Sequence, residues 1–306
     1  MFAYGPARLR ALLDSGQTIV APGAFDPLSA RLVEEAGFPA VYMTGFGTSA
    51  ALIGRPDVGL LTMTEMAGNA GRIAASVGIP VIADADTGYG NPLNVIRTVQ
   101  TYEAAGVAGI HIEDQVAPKK CGHMEGKQVI PAEEMAQKVR AAVEARAQPE
   151  FVIIARTDAR APEGLERALQ RGRVYREAGA DVLFIEALTS DAEAEEAVRA
   201  LPGVSLLFNW AEGGKTPPIG LDRIKELGYR IVIFPISTLL AATGAMRAIL
   251  QEIARTGTPA AAVRERPTFA EFVDFIGLPQ VREAEQRYAA RPATGPGTGG
   301  ADGSDV

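Results

Sequence analysis

The chain has 306 residues and a mass of 32.2 kDa, enough for one large α/β barrel or for two smaller domains. Acidic residues outnumber basic residues by 37 to 30, and the net charge of -7 argues against a broadly basic nucleic-acid surface. A single cysteine excludes an intrachain disulfide framework. Because neither a secretory leader nor a membrane-length apolar run is apparent, we expect a soluble, cytoplasmic protein.

One pattern recurs along the chain: a short β-branched run, a polar strand end and a helical stretch. Eight runs are typical of buried parallel strands, at residues 19–26, 40–45, 80–86, 109–114, 151–158, 182–187, 206–210 and 230–235. Helical stretches lie between them, at residues 27–37, 63–77, 92–105, 132–145, 162–178, 192–201 and 221–227. Eight successive βα units predict a single (β/α)8 TIM barrel rather than an open, doubly wound sheet.

The predicted domain organisation has three parts. An N-terminal helix and the barrel occupy residues 1–260, a helical appendage occupies 261–288, and a disordered tail occupies 289–306. The appendage carries Phe269, Phe272 and Phe275 at helix-like spacing. Such an apolar segment needs cover, which either the barrel or a neighbouring subunit could supply.

Residues 45–50 read GFGTSA after a predicted strand and match a dinucleotide-binding glycine pattern. The residues that follow, LIGRPDVG, contain Gly and Pro, so we expect no helix to begin there. We therefore predict a strand-end loop whose backbone N–H groups face an anion, and no nucleotide site.

Polar side chains follow the predicted strands at the points where the strands end. Asp84 and Asp86 should share one face of the third strand, because side chains alternate with a period of two. Paired carboxylates repel each other unless a cation joins them, and oxygen ligands prefer Mg²⁺ or Mn²⁺. The later strands end with Glu113, Arg156, Asp158, Glu186 and Asn209. All these ends converge on the face where active sites of such barrels lie.

A long loop after the fourth strand, residues 117–127, reads APKKCGHMEGK and contains the only cysteine, Cys121. Lys119, Lys120 and His123 close by should favour the thiolate or ease proton transfer from the thiol. The alternative is a cysteine that serves only as a small hydrophobic residue. His111 lies within a strand instead, and we expect it to be a buried supporting residue.

Together these motifs resemble the isocitrate lyase and phosphoenolpyruvate mutase superfamily. The loop matches the signature K-[KR]-C-G-H, and it is accompanied in family order by YMTGFG at 42–47, DADTG at 84–88, HIEDQ at 111–115 and ARTD at 155–158. The similarity extends over about residues 19–288. It implies an α/β barrel, an Mg²⁺ site with Mn²⁺ as an alternative, and a homotetramer whose C-terminal helices are exchanged between subunits.

Within that superfamily, the Cys-Gly-His loop resembles the carbon–carbon lyases, and the chain length is similar to that of 2-methylisocitrate and 2,3-dimethylmalate lyases. Residues 209–214, NWAEGG, depart from the N-x-T-E-F-G of methylisocitrate lyases and are more similar to the dimethylmalate-lyase and mutase-like branch. The resemblance implies an Mg²⁺-dependent lyase that cleaves a 2-hydroxy di- or tricarboxylate by retro-Claisen or retro-aldol chemistry. Pyruvate or a related keto acid would be released.

The resemblance also implies residue roles. Catalytic roles fall to Cys121, as the general acid, and to Tyr42, Arg156, His123 and Glu186. Substrate binding falls to Thr44, Gly45, Gly47, Asp57, Gly122, Arg156, Asn209 and Glu212. Metal binding falls to Asp84, Asp86 and Glu113. Three alternatives stay open: an oxaloacetate or other α-keto-acid decarboxylase, a phosphonate P–C bond mutase or hydrolase, and a non-catalytic metabolite-binding protein.

Overall fold

The computed structural model describes residues 5–122, 124–259 and 267–289. Its parallel strands close into a barrel in which each strand pairs with the next and the last pairs with the first. In chain order they are β1 (Ile19–Ala24), β2 (Val41–Met43), β3 (Val81–Asp84), β4 (Gly109–Glu113), β5 (Val152–Thr157), β6 (Val182–Ile185), β7 (Ser205–Asn209) and β8 (Ile231–Phe234). The predicted (β/α)8 barrel is confirmed.

Helices surround the barrel and extend beyond it. Within the described residues they are α1 (Gly5–Asp14), α2 (Pro27–Glu35), α3 (Gly45–Ile53), α4 (Met63–Ser76), α5 (Pro92–Ala104), α6 (Ala132–Ala145), α7 (Arg160–Glu163), α8 (Leu165–Glu177), α9 (Asp191–Ala200), α10 (Leu221–Leu227), α11 (Ser237–Thr256), α12 (Phe269–Phe275) and α13 (Leu278–Tyr288). None of those described is both long enough and apolar enough to cross a membrane.

Because side chains point alternately to the two faces of each strand, the apolar residues form two cores, one inside the barrel and one between the strands and the helices. Ile82 belongs to the cluster that fills the barrel, whereas its neighbours Val81 and Ala83 belong to the larger cluster between strands and helices. Leu9 of α1 joins the barrel cluster and is fully buried. A strand that is covered on both faces has apolar side chains at nearly every position. This explains why the strands could be predicted from continuous apolar runs in the sequence.

Helix α3 contradicts the predicted strand-end loop. Thr44 is its N-cap, with Oγ1 accepting a hydrogen bond of 3.2 Å from the Gly47 N–H, and Gly54 ends it with a φ of 61°. The glycine and proline expected to prevent a helix lie after its last turn, and the AALI run completes it. The first turn still leaves N–H groups without helical partners at the end of β2, so an anion-facing role is retained.

The chain divides into two compact units, residues 1–247 and 248–306. The first contains the barrel and the first half of α11. In the second, Phe269, Val281 and Tyr288 are 83%, 54% and 80% exposed. The predicted domain boundaries, the disordered tail and the helix exchange stay predictions, because residues 260–266 and 290–306 lie outside the described residues.

Candidate active site

A cavity of about 230 Å³ opens where the carboxyl ends of the strands meet. Its lining includes most of the residues singled out by the sequence: Tyr42, Thr44, Asp57, Asp84, Cys121, Gly122, Arg156, Glu186, Asn209 and Glu212. Gly45 and Gly47 lie in the first turn of α3, next to Thr44. His123, a predicted catalytic residue, lies outside the described residues. The structure therefore brings most of the predicted site together around one cavity.

The carboxylates predicted to bind metal lie at and beneath the cavity wall. Asp84 ends β3, and its Oδ1 accepts a hydrogen bond of 2.9 Å from the Asp86 N–H. Asp86 follows the strand with a φ of 46°, so a turn, rather than strand alternation, brings it beside Asp84. Gly45 contacts Asp84 so closely that a Cβ at position 45 would collide with its carboxylate.

Burial perturbs the protonation of these carboxylates in different directions. It raises the pKa of Asp86 to about 6 and raises the pKa of Glu113 well above its usual value. Burial alone would also raise the pKa of Asp84, but His111 and Lys119 outweigh it and hold that pKa below its usual value. Asp84, Asp86 and Glu113 therefore differ in pKa, as expected where nearby positive charges balance the buried carboxylates only in part.

The numbers of buried acids and buried cations show whether a divalent cation would fit this site. Buried acids outnumber buried cations by seven to five in the described residues: the acids are Asp57, Asp84, Asp86, Glu113, Asp114, Asp158 and Glu186, and the cations are Lys119, Lys127, Lys138, Arg156 and Arg171. Neither Glu113 oxygen accepts a hydrogen bond, although Arg156 Nε lies 3.2 Å from Oε2. An excess of buried acids over buried cations, with Glu113 oxygens that accept no hydrogen bond, fits Mg²⁺, whose binding would favour the deprotonated acids.

The described side chains alone do not supply a complete set of ligands for a metal ion. In the described part of the chain, no three His, Cys, Asp or Glu side chains are grouped closely enough to hold an ion by themselves. Mg²⁺ usually keeps several water ligands and uses only one or two carboxylates directly. The residues therefore fit a cation that is bound partly through water.

Two lysines of the loop contact groups other than the thiol. Lys119 Nζ lies 2.5 Å from Asp57 Oδ1 and 2.8 Å from Asp86 Oδ1. Burial lowers the pKa of Lys119, but Asp86 and other acids outweigh it and raise that pKa well above its usual value. Lys120 Nζ donates to the Gly126 carbonyl at 2.9 Å. The expected effect of these lysines on the Cys121 thiol stays a prediction.

Arg156 places a permanent positive charge beside the cavity. Its Nε lies 2.9 Å from Asp158 Oδ2, and its Nη2 lies 3.4 Å from Glu186 Oε2. Burial lowers the pKa of Arg156, but the surrounding carboxylates raise it well above its usual value. Burial alone would raise the pKa of Asp158, whereas Arg156 and Lys127 hold it at about 2. Arg156 and Asp158 are therefore both charged at neutral pH.

Tyr42 and His111 form a buried pair beneath the cavity. Tyr42 Oη lies 2.7 Å from His111 Nε2, and the two rings are stacked. Burial lowers the pKa of His111 to about 4, so the ring is neutral at pH 7. Burial raises the pKa of Tyr42 well above its usual value. His111 is fully buried, as predicted, and Tyr42 presents a protonated phenol.

The Cys121–Gly122 segment fits closely against the site. The Cys121 N–H donates to the Asp57 carbonyl at 3.1 Å. Gly122 leaves no room for a side chain, because a Cβ there would lie 2.5 Å from Arg156 Nη2 and 2.6 Å from Glu186 Cδ. The predicted position of Gly122 in the site thus has a steric basis that the sequence did not reveal.

Several lining residues were missed by the sequence reasoning. The apolar part of the wall comprises Phe46, Met124, Phe184, Ala211, Ile233, Pro235 and Ile236. Phe184 could have been identified, because it lies two positions before Glu186 and strand alternation places both on one face. Two residues outside the lining, Lys127 and Gln115, carried no comparable signal, since their partners are set by the conformation of the loop.

A parallel barrel with a charged cavity at the carboxyl ends of its strands is the architecture of an enzyme. The family model described as phosphoenolpyruvate phosphomutase matches residues 9–254. The chain therefore belongs to the phosphoenolpyruvate mutase/isocitrate lyase superfamily, as its motifs indicated.

Relatives of this chain include named lyases. It is 48% identical over 283 residues to 2,3-dimethylmalate lyase from Eubacterium barkeri, covering 92% of this chain and 98% of that protein. It is 47% identical over 269 residues to 2-methylisocitrate lyase from Aeropyrum pernix, covering 88% and 86%.

Similar solved structures include 2,3-dimethylmalate lyase, with a TM-score of 0.89 at 40% identity, as well as enzymes named for other activities. Oxaloacetate acetylhydrolase in complex with 3,3-difluorooxalacetate superposes with a TM-score of 0.89 at 40% identity, covering 94% of this chain and 98% of that one. Phosphonopyruvate hydrolase in complex with oxalate and Mg²⁺ superposes with a TM-score of 0.86 at 36% identity, covering 94% and 99%.

Proposed function

We propose that this protein is a divalent-metal-dependent carbon–carbon lyase that cleaves a 2-hydroxy carboxylate and releases pyruvate or a related keto acid. The observation that carries the proposal is the position of Cys121, which lines the same cavity as Asp84 and Arg156. A proton donor, a carboxylate-binding cation and oxygen donors for a metal are the groups that such a cleavage needs. Similarity to two named lyases supports the same assignment.

Asp84, Asp86 and Glu113 would hold the cation, with Mg²⁺ as the first choice and Mn²⁺ as the alternative. When bound, a divalent cation lowers the pKa of a coordinated hydroxyl and stabilises negative charge on neighbouring oxygens. The excess of buried carboxylates and the available Glu113 oxygens support this assignment. The Mg²⁺ named in the phosphonopyruvate hydrolase complex is consistent with it.

The chain supplies two further groups that bind carboxylates. Arg156 is cationic and lines the cavity, where its guanidinium fits a substrate carboxylate. The first turn of α3, with Thr44, Gly45 and Gly47, offers backbone N–H groups and a hydroxyl to the carboxylate of the keto-acid product. The remaining proposed substrate contacts line the same cavity: Asp57, Gly122, Asn209 and Glu212.

We assign the proton donation to Cys121. The substrate hydroxyl loses its proton to solvent water, its carbon becomes the carbonyl carbon of the keto acid, and the electron pair of the broken carbon–carbon bond passes to the departing fragment as an enediolate. The Cys121 thiol transfers its proton to that carbon and becomes a thiolate. Glu186 lies beside Arg156 at the same wall, and His123 is assigned to the same proton network. Tyr42, as a protonated phenol, would orient the substrate hydroxyl by donating a hydrogen bond.

The cavity wall favours an alkyl-substituted dicarboxylate over a tricarboxylate. Among the described lining residues, Arg156 is the only cation, whereas much of the wall is apolar. A third carboxylate would therefore lie near Glu212 and apolar side chains without a described cationic partner. Apolar contacts distinguish substrates by about 1–3 kcal/mol for each methyl group, so dimethylmalate should be preferred over malate-like substrates that lack the methyl groups.

A product assay tests the proposal. The purified enzyme is incubated with Mg²⁺ and 2,3-dimethylmalate, 2-methylisocitrate, isocitrate or citramalate, and pyruvate or glyoxylate is measured. We expect the fastest turnover with dimethylmalate and none after chelation. Absence of keto-acid release from every one of these substrates would overturn the lyase assignment.

The second candidate is hydrolysis or decarboxylation of an oxo acid, or P–C bond chemistry. It is favoured by the high similarity to oxaloacetate acetylhydrolase and phosphonopyruvate hydrolase. Oxaloacetate and phosphonopyruvate are therefore included in the screen. Oxaloacetate would give oxalate and acetate by hydrolysis or pyruvate and CO₂ by decarboxylation, and phosphonopyruvate would give pyruvate and phosphate by hydrolysis or phosphoenolpyruvate by the mutase reaction. Metal-dependent turnover of any substrate would exclude a non-catalytic metabolite-binding protein.

We also propose a homotetramer with exchanged C-terminal helices. The large apolar side chains of α12 and α13, such as Phe269 and Val281, are exposed in the isolated chain. A neighbouring subunit would bury them, at a gain of about 25 cal/mol per Å² of apolar surface. Light scattering of the purified chain should give the mass of four subunits, and a monomer would contradict the proposal.

A further inference from the structure

We propose that Lys127 is a positioning residue that holds the Cys121–Gly122 segment in the cavity through Asp158. The catalytic consequence rests on the proposed function, whereas the effect on the position of the segment does not. Lys127 does not line the cavity, and no role in substrate or metal binding has been assigned to it above.

The contacts of Lys127 are made by a buried ammonium group. Its side chain is 1% exposed, and Nζ lies 2.7 Å from Asp158 Oδ1. Nζ also donates to the carbonyl oxygen of Gly122, the residue next to Cys121. The ammonium therefore joins the loop backbone to a carboxylate at the end of β5.

Asp158 is shared between this lysine and the arginine of the site. Its Oδ1 lies 3.1 Å from Arg156 Nη2 as well as 2.7 Å from Lys127 Nζ, and its Oδ2 accepts from Arg156 Nε at 2.9 Å. A single carboxylate thus fixes Arg156 and, through Lys127, the Gly122 carbonyl. The proton donor and the carboxylate-binding group are positioned from the same point.

The Cys121 segment is anchored on both sides. On its amino-terminal side, the Gln115 side chain accepts from the Lys120 N–H at 2.9 Å and donates to the Lys120 carbonyl at 2.7 Å. On its carboxyl-terminal side, Lys127 supplies the anchor at Gly122. A buried ammonium is costly unless its donors are satisfied. Movement of Gly122 out of the cavity would remove one of its acceptors, so the position of the segment and the pairing of Lys127 are coupled.

Hydrogen exchange measured by mass spectrometry tests this coupling without substrate or metal. The probes are the amides of Cys121 and Met124, which donate to the Asp57 and Cys121 carbonyls. In Lys127→Met, we expect exchange of the peptide that contains them to be about 10- to 100-fold faster, the effect of losing one hydrogen bond to a charged group. Unchanged exchange in a folded Lys127→Met protein would overturn the proposal.

Lys120→Met is the matched control. It removes the same charge from the same loop, but the Lys120 ammonium is bonded to the Gly126 carbonyl at an exposed position. We expect a change of no more than about threefold, because exposed hydrogen bonds contribute little. Equal acceleration in both variants would show that loop charge in general, and not the Asp158 contact, holds the segment.

Two further variants keep the test decisive. Lys127→Arg retains the charge and should restore most of the protection. If Lys127→Met does not fold, the double variant Lys127→Met, Asp158→Asn removes both buried charges together. Fast exchange of the Cys121 peptide in that protein supports the proposal, and wild-type exchange refutes it.

Turnover measurements separate this proposal from the proposed function. With a lyase substrate, Lys127→Met should lower kcat more than it raises KM, because the proton donor is displaced while Arg156 still binds carboxylate. A wild-type protein without lyase activity would overturn the proposed function but leave the exchange result intact. Fast exchange with an unchanged kcat would overturn the catalytic role of the positioning.

Discussion

A single methyl group at position 122 should impair catalysis without unfolding the barrel. The alanine Cβ in Gly122→Ala would lie 2.5 Å from Arg156 Nη2 and 2.6 Å from Glu186 Cδ. Both distances are about 1 Å shorter than the optimal separation of about 3.5 Å between unbonded atoms. Arg156 and Glu186 are buried, so the Cys121 segment must yield by about that distance. A displacement of 1 Å costs about 100-fold in rate, and overpacking costs about 1–3 kcal/mol of stability.

Steady-state turnover and thermal unfolding of Gly122→Ala measure these two effects separately. Gly220→Ala is the matched control, because no atom lies within 4 Å of its Cβ position and its φ of -64° suits any residue. The control should retain wild-type turnover and stability to within about twofold and 0.5 kcal/mol. Wild-type kcat in Gly122→Ala would show that the segment is not held against Arg156 and Glu186 during the reaction.

Three further predictions concern single side chains. Cys121→Ser should fold and bind substrate normally but lose about 10²–10⁴-fold in kcat, because a hydroxyl is a much weaker acid than a thiol; near wild-type turnover would refute the proton-donor assignment. Asp84→Ala or Asp86→Ala should abolish both activity and the thermal stabilisation by Mg²⁺ while the circular dichroism spectrum is unchanged, and full activity of Asp86→Ala in a chelator would refute the metal assignment. The folded-state pKa of Asp158 is about 2, below its unfolded value, so its charge contributes stability above about pH 4 that is lost as the pH falls toward 2. The difference in the free energy of urea unfolding between the wild type and Asp158→Asn should therefore shrink by about 2 kcal/mol from pH 5 toward pH 2; a pH-independent difference would contradict this linkage.

The barrel was predictable because its strands are buried on both faces. Each run of β-branched residues corresponds to one strand, and the glycines after helices mark the returns to the barrel. Local sequence patterns predicted the ends of the helices less accurately than the strands. Helix α3 was missed because a glycine-rich start and a later proline obscured the N-cap Thr44. The stretch predicted as one helix at 162–178 is divided into α7 and α8 by Gly164, whose φ is 89°.

The site was predictable in its residues but less so in its contacts. Strand ends converge in any such barrel, so Asp84, Glu113 and Arg156 could be placed on one face from sequence alone. The partners of Lys119 and Lys127 could not be predicted, because they depend on the conformation of a loop whose lysines contact acids after α3, β3 and β5. Proximity in sequence suggested that Lys119 acts on Cys121, whereas the fold pairs it with Asp57 and Asp86.

The contacts of Lys119 and Lys127 with buried carboxylates give the loop two functions, and each function depends on the other. It brings the Cys121 thiol to the cavity, and it also brings Lys119 and Lys127 to carboxylates that are otherwise buried without enough positive charge. Burying a carboxylate without a partner is costly, so the loop is held where the two lysines neutralise Asp86 and Asp158. The thiol lies between these two contacts in the chain. Cys121, the proposed proton donor, is therefore positioned by the same interactions that balance the charge of the site, and a variant that weakens either lysine contact should displace Cys121 even though the thiol itself is unchanged.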